Sequence, residues 1–183
     1  MLYILYILII YFCFYLFNKR KKIKSNIDNL YYYVQVRKNN LKSLYYFSVL
    51  NYFINKLIFN LNKKDKIYIK YEKNINNLKD KILKNIIISE SSKLFNKTRT
   101  NNKEHIYLCI QYNNKYYNLN HLKYIVMHEL GHMICPCKGH TKEFYTINKF
   151  LLKEAIRLNI YKNYNYIISP INYCGVLLNE YLL

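Results

Sequence analysis

His128-Glu129-Leu130-Gly131-His132 is the stretch on which the reading of this chain turns. It lies in a run that reads as helix. Four residues of helix advance about 6 Å and complete little more than one turn, so His128 and His132 project from the same face. Two imidazoles so placed can ligate one Zn²⁺ at about 2.0–2.1 Å each. Glu129, beside the first ligand, can lean over the metal's open position and take a proton from a bound water. With five His and seven Glu in 183 residues, chance supplies only about 0.005 H-E-x-x-H matches. The competing reading is an amphipathic core helix carrying two surface histidines.

Downstream stands Gly139-His140-Thr141-Lys142-Glu143-Phe144. A catalytic zinc usually takes three protein ligands and leaves its fourth position to water. His140 completes that set if Met133–Gly139 turns the chain back. Pro136 cannot continue a helix, and Gly139 reaches positive φ at little cost. Three alternatives stand beside it. His140 is a solvent-exposed loop histidine; or a thiolate of Cys135-Pro136-Cys137 ligates in its place; or a more distant Glu143 or Glu154 does. The spacing disfavours a metzincin, whose third His follows sooner and precedes a Met-turn, because no Met follows Met133.

These residues resemble the WLM and SprT-like zinc metallopeptidases, and more narrowly the short WLM-like proteins of large DNA viruses and some protists. The resemblance runs from about Asp28 to the C-terminus. It includes Ile88–Ser92, His105–Ile110, Glu154–Tyr161 and Asn172–Gly175 besides the two histidine motifs. It implies a zincin-like α+β domain that hydrolyses peptide bonds. One zinc would be held by His128, His132 and His140, with Glu129 as general base. It also implies that the strand before the motif helix is the edge that binds substrate, so that Tyr107–Ile110 line the cleft.

The formal net charge is +19, a balance that suits nucleic acid or a membrane surface as partner. Only four of the 29 basic residues are Arg, the side chain preferred for bidentate phosphate recognition. The lysines are scattered and no nucleic-acid-binding motif is present, so the charge supports contact with nucleic acid without specificity. The 23 tyrosines, with abundant Lys, Asn and Ile, look like an AT-rich coding bias. Five cysteines, an odd number, suggest no disulfide framework. Reduced thiols fit a cytosolic compartment, with Cys13 and Cys109 behaving as small hydrophobes.

Residues 1–17 contain no charged or amide side chain. They reach the lower end of the spanning range, about 17 residues. Lys19, Arg20, Lys21 and Lys22 follow at once, the reverse of a signal peptide's charge order. The expectation is a single transmembrane helix over 1–17, a basic juxtamembrane linker over 18–27, and a zincin-like domain over 28–183 facing the cytoplasm. A buried N-terminal helix is the alternative.

Within the domain, Tyr31–Val36 reads as a strand and Leu41–Phe59 as a helix from its spaced apolar residues. Asn77–Ile87 reads as a second helix, Ser89–Lys103 as polar loop, and His105–Tyr112 as a strand. Asn113-Asn114 is a turn and Tyr116–Leu119 a returning strand. The motif helix is placed at His121–Cys135 with Asn120 as its cap. Thr141 caps a last helix whose core face is Phe144, Ile147, Leu151 and Leu158. The fold expected is α+β, a small sheet packed on the motif helix. The function expected is a membrane-anchored zinc metallopeptidase acting on protein or peptide. Its alternative is a catalytically inactive, zinc-stabilised, basic membrane-tethered binding protein.

Overall fold

Leu41–Phe59 forms helix α1. Leu44, Phe47, Leu50, Ile54 and Leu57 are buried along it, the three- and four-residue spacing of one helical face. Asp65 caps the short α2 (Lys66–Lys70) by accepting from the Ile67 N–H at 2.7 Å. Tyr71 leads into α3 (Glu72–Lys84), which buries Ile75 and Leu78. The motif helix α4 covers Leu119–Ile134 and α5 covers Lys142–Arg157. These last two pack along each other and seat the histidine motifs against the core. The computed structural model describes residues 3–7, 19–93 and 96–180.

Among the described residues, nine short strands accompany the helices. β1 (Arg20–Lys24) and β2 (Tyr31–Gln35) form an antiparallel hairpin. β3 (Ile88–Glu90), β4 (Arg99–Asn101) and β5 (His105–Leu108) form a sheet in the order β3-β5-β4, with β3 parallel and β4 antiparallel to β5. β6 (Gln111–Tyr112) and β7 (Lys115–Tyr116) flank Asn113 and Asn114, whose φ values of 47° and 60° are those of a two-residue hairpin turn. β8 (Ile171–Tyr173) and β9 (Val176–Leu178) form a last hairpin. The first hairpin is bound to β3 through Glu90. This carboxylate is buried, accepts from the Gln35 N–H at 2.9 Å and is ion-paired with Arg37.

The expected α+β class, with a small sheet beside the motif helix, is the observed one. The expected transmembrane anchor is not. Among the described residues no helix is long and apolar enough to cross a membrane. Of the expected segment only residues 3–7 are described, as helix, and the rest of 1–17 lies outside the described residues. Among the described residues the single-pass placement with a cytoplasmic domain therefore has no spanning helix to stand on. Part of the linker expected over 18–27 is structured. Residues 20–24 are β1, Arg20 Nη1 donates to the Glu90 carbonyl at 3.0 Å, and Ile23 packs on the core.

Three further expectations are corrected. The polar stretch 89–103 carries the end of β3 and all of β4. β5 is the central strand of its sheet, so the edge beside the cleft is β4 and not Tyr107–Ile110. Asn118, not Asn120, caps α4; its side chain accepts from the Asn120 N–H at 2.8 Å. The four cysteines among the described residues are paired as well. Cys109 is disulfide-bonded to Cys174 with Cα atoms 6.6 Å apart, and Cys135 to Cys137 with Cα atoms 5.3 Å apart. Sequence spacing alone did not disclose the first pair, which joins the end of β5 to the β8–β9 turn.

Candidate metal centre and cleft

Helix α4 places His128 and His132 one turn apart, as the motif requires. The chain then leaves the helix at Cys135 and turns through Gly139, whose φ is +73°. That left-handed residue returns His140 to the helix face. Thr141 starts α5 by accepting from the Phe144 N–H at 3.3 Å. The three Nε2 atoms converge, with separations of 3.3 Å for His128–His132, 3.1 Å for His132–His140 and 3.0 Å for His128–His140. A tetrahedral ion with bonds of about 2.0–2.1 Å sets its ligand atoms about 3.3 Å apart, so the donor set fits a metal. All three histidines and Glu129 line a cleft of about 680 Å³.

The floor beneath the trio is Phe144. Its ring, fully buried, stacks on His132 with centroids 4.2 Å apart and meets His128 and His140 at 4.9 Å each. Burial, followed by repulsion from the neighbouring imidazoles, lowers the pKa of His128 to about 3. Burial, then His140 and Lys103, lower that of His132 to about 4. Both rings are therefore neutral at physiological pH, the state in which a lone pair is free to ligate.

Glu129 is 7 % exposed. Burial pushes its carboxyl pKa up, and a hydrogen bond from Thr100 pulls in the other direction. Thr100 stands on β4, and its Oγ1 donates to Glu129 Oε2 at 2.5 Å. A sequence reading misses this residue because it lies in a polar stretch far from the motif.

The other candidates fall out of the centre. Glu143 is held by the Tyr71 hydroxyl and by Lys70, whose Nζ is 3.5 Å away. Glu154 is buried, accepts from the Asn62 N–H at 2.7 Å and pairs with Arg157. Cys135, Cys137 and Glu143 do cluster, but the two sulfurs are bonded to each other, so no thiolate remains to replace His140. Tyr173 lines the cleft, yet its hydroxyl donates to the Cys109 carbonyl at 2.8 Å and is bonded to Thr98 Oγ1. Its proton is thereby committed, and in this arrangement it does not serve an oxyanion.

No family model and no solved structure matches this chain. Three viral proteins do match. "Uncharacterized protein R325" of Acanthamoeba polyphaga mimivirus is 31 % identical over 187 residues, spanning 98 % of this chain and 94 % of that protein. The chain belongs to the family of that mimivirus protein. "Uncharacterized protein 042R" of Invertebrate iridescent virus 3 is 39 % identical over 79 residues, 42 % of this chain and 48 % of its own length. "Uncharacterized protein 136R" of Invertebrate iridescent virus 6 is 35 % identical over 97 residues, 51 % of each chain. The chain thus spans about half the length of the two iridescent virus proteins and nearly all of the mimivirus family member.

Proposed function

We propose that the chain is a zinc-dependent metallopeptidase of the zincin type, similar to WLM and SprT-like enzymes. The observation that carries the reading is one cleft shared by two features: three imidazole nitrogens at the spacing of a tetrahedral face, and a buried, hydrogen-bonded carboxylate from the same helix. His128, His132 and His140 would hold one Zn²⁺. Bound there, the ion would supply Lewis acidity and lower the pKa of a water in its open position.

The chain's own residues supply the rest. Glu129 accepts the water's proton as the water attacks the scissile carbonyl, then returns a proton to the leaving amine. Thr100 holds the carboxylate in register for both transfers. Phe144 keeps the three rings in fixed orientations. β4, an edge strand beside the cleft, offers backbone N–H and C=O groups to a peptide in extended form.

The test uses full-length protein and two variants. Zinc content near one per chain is expected, and His140→Ala should lose it, because two imidazoles hold the ion poorly. Glu129→Gln should keep both zinc and fold while cleavage of an unfolded protein substrate falls by about 10²–10⁴-fold. Zinc retained after His140→Ala would refute the ligand set. Wild-type cleavage by Glu129→Gln would refute the hydrolytic mechanism. One zinc per chain with no hydrolysis by the wild type would identify a metal-stabilised binding domain instead.

A further inference from the structure

We propose a second metal site, separate from the histidine trio and opened by reduction: Cys135, Cys137 and Glu143 take a soft divalent cation once the Cys135–Cys137 disulfide is broken. The two sulfurs and a Glu143 carboxylate oxygen already lie within 4.8 Å of one another. The three histidines form a group of their own, and none of them belongs to this one. Thiolate sulfur bonds zinc at about 2.3 Å and carboxylate oxygen at about 2.0–2.2 Å, which sets tetrahedral partners about 3.5 Å apart. Small side-chain rotations bring the three atoms to that spacing, and sulfur ligands favour soft cations.

The fold delivers these groups from two helix ends. Cys135 is the C-cap of α4, and Pro136 turns the chain so that the Cys135 and Cys137 Cα atoms stand 5.3 Å apart. Glu143 lies in the first turn of α5. The Tyr71 hydroxyl and Lys70 Nζ both meet Glu143 Oε1, so Oε2 is left outside these bonds. Thr141 Oγ1 donates to Cys137 Sγ at 3.1 Å. Outer partners of this kind orient metal ligands. Two thiolates and a carboxylate carry three negative charges, of which a divalent ion cancels two. Lys70, beside Glu143, and Lys103, which donates to the Cys135 carbonyl, offset the remainder.

A dithiol reductant opens the site. Cys137 is half-buried and lines the cleft, whereas Cys135 has no exposed surface. The reductant's thiolate therefore bonds to Cys137 Sγ as the Cys135–Cys137 bond breaks, and Cys135 leaves with the electron pair and takes a proton. The reductant's second thiolate then displaces Cys137, which takes a proton in turn. The reductant departs as a disulfide, oxidised by two electrons, and the chain holds two thiols. Metal binding releases both thiol protons to solvent. The site does not rest on the peptidase reading.

The experiment is titration of the full-length protein with Cd²⁺, read by the ultraviolet thiolate-to-cadmium charge-transfer band. Histidine and carboxylate ligands give no such band. One sample is reduced with dithiothreitol and freed of it without air; the other is left oxidised. The band is expected in the reduced sample alone, and in reduced His140→Ala as well. Cys137→Ser should diminish it. Glu143→Gln should raise the half-saturating cadmium by about tenfold or more. Cadmium should also protect Cys135 and Cys137 of the reduced wild type from alkylation, mapped by peptide mass, a readout that needs no variant to fold. No band after reduction, an undiminished band in Cys137→Ser, its loss in His140→Ala, wild-type half-saturation in Glu143→Gln, or unprotected cysteines would each overturn the proposal.

Discussion

Thr100 and Glu129 meet across 29 positions of sequence, and the proposed base depends on that meeting. Burial raises the Glu129 pKa, and the Thr100 hydrogen bond restrains the rise. Thr100→Val keeps the side-chain shape and removes the donor, so the carboxyl pKa should rise further. Because the base works deprotonated, the acid limb of the kcat/KM profile should move to higher pH, with the rate recovering in alkaline buffer. An unmoved acid limb would show that Thr100 does not tune the base. The histidines and Glu129 are legible in the sequence because helical periodicity alone brings them together. His140 is legible through its Gly and Pro context. Thr100 is not, because nothing local to it announces a partner on another element.

The elements divide in the same way. Helix α1 matches its expected limits, since long apolar periodicity overrides local ambiguity. The Asn113-Asn114 turn is read correctly because both residues tolerate positive φ. β4 escapes because Arg99-Thr100-Asn101 has no apolar alternation, and β5 reads as an edge because its parallel partner β3, 18 residues earlier in register, gives no local sign that it covers the other side. Helices α4 and α5 approach closely at Gly131, where an added Cβ would meet Phe144 Cε2 at 3.2 Å and Asn148 Cβ at 3.8 Å. Gly131→Ala gains about 1 kcal/mol of helix propensity but must displace the ring on which all three histidines rest. Net stability should change little while zinc affinity falls, which a chelator competition can measure. Undiminished affinity would mean that the Phe144 floor does not position the ligands.

At the scale of the whole molecule, acid should weaken the metal-free protein. Burial depresses His128 from 6.5 to about 3 and His132 to about 4. His105 and His121 are lowered as well, also chiefly by burial. Unfolding restores the ordinary value, so between these limits the unfolded chain binds more protons than the folded one. Stability is therefore whole above pH 6.5 and is lost as pH falls towards 4 and then 3. Thermal melts of chelator-treated protein from pH 7 to 4 should show Tm declining; a level Tm would contradict the burial of these rings. Added zinc should raise Tm at pH 7 and lose its effect on acidification, because protons compete for the same lone pairs. The architecture of the domain was legible at this scale, but the disulfide between Cys109 and Cys174, 65 positions apart, was not, since pairing over that distance is decided by the sheet and not by spacing.

The closeness of the three imidazoles along the chain has a consequence for folding. His128 and His140 are only twelve positions apart, so α4, the Gly139 turn and α5 suffice to assemble the trio. The Thr100–Glu129 contact needs β4 docked on the motif helix. Contacts of low sequence separation close at small entropic cost and form early, whereas distant ones wait for the rest of the fold. On the proposed reading, zinc binding and turnover should therefore part company as denaturant is raised, with hydrolysis failing at a lower concentration than zinc retention.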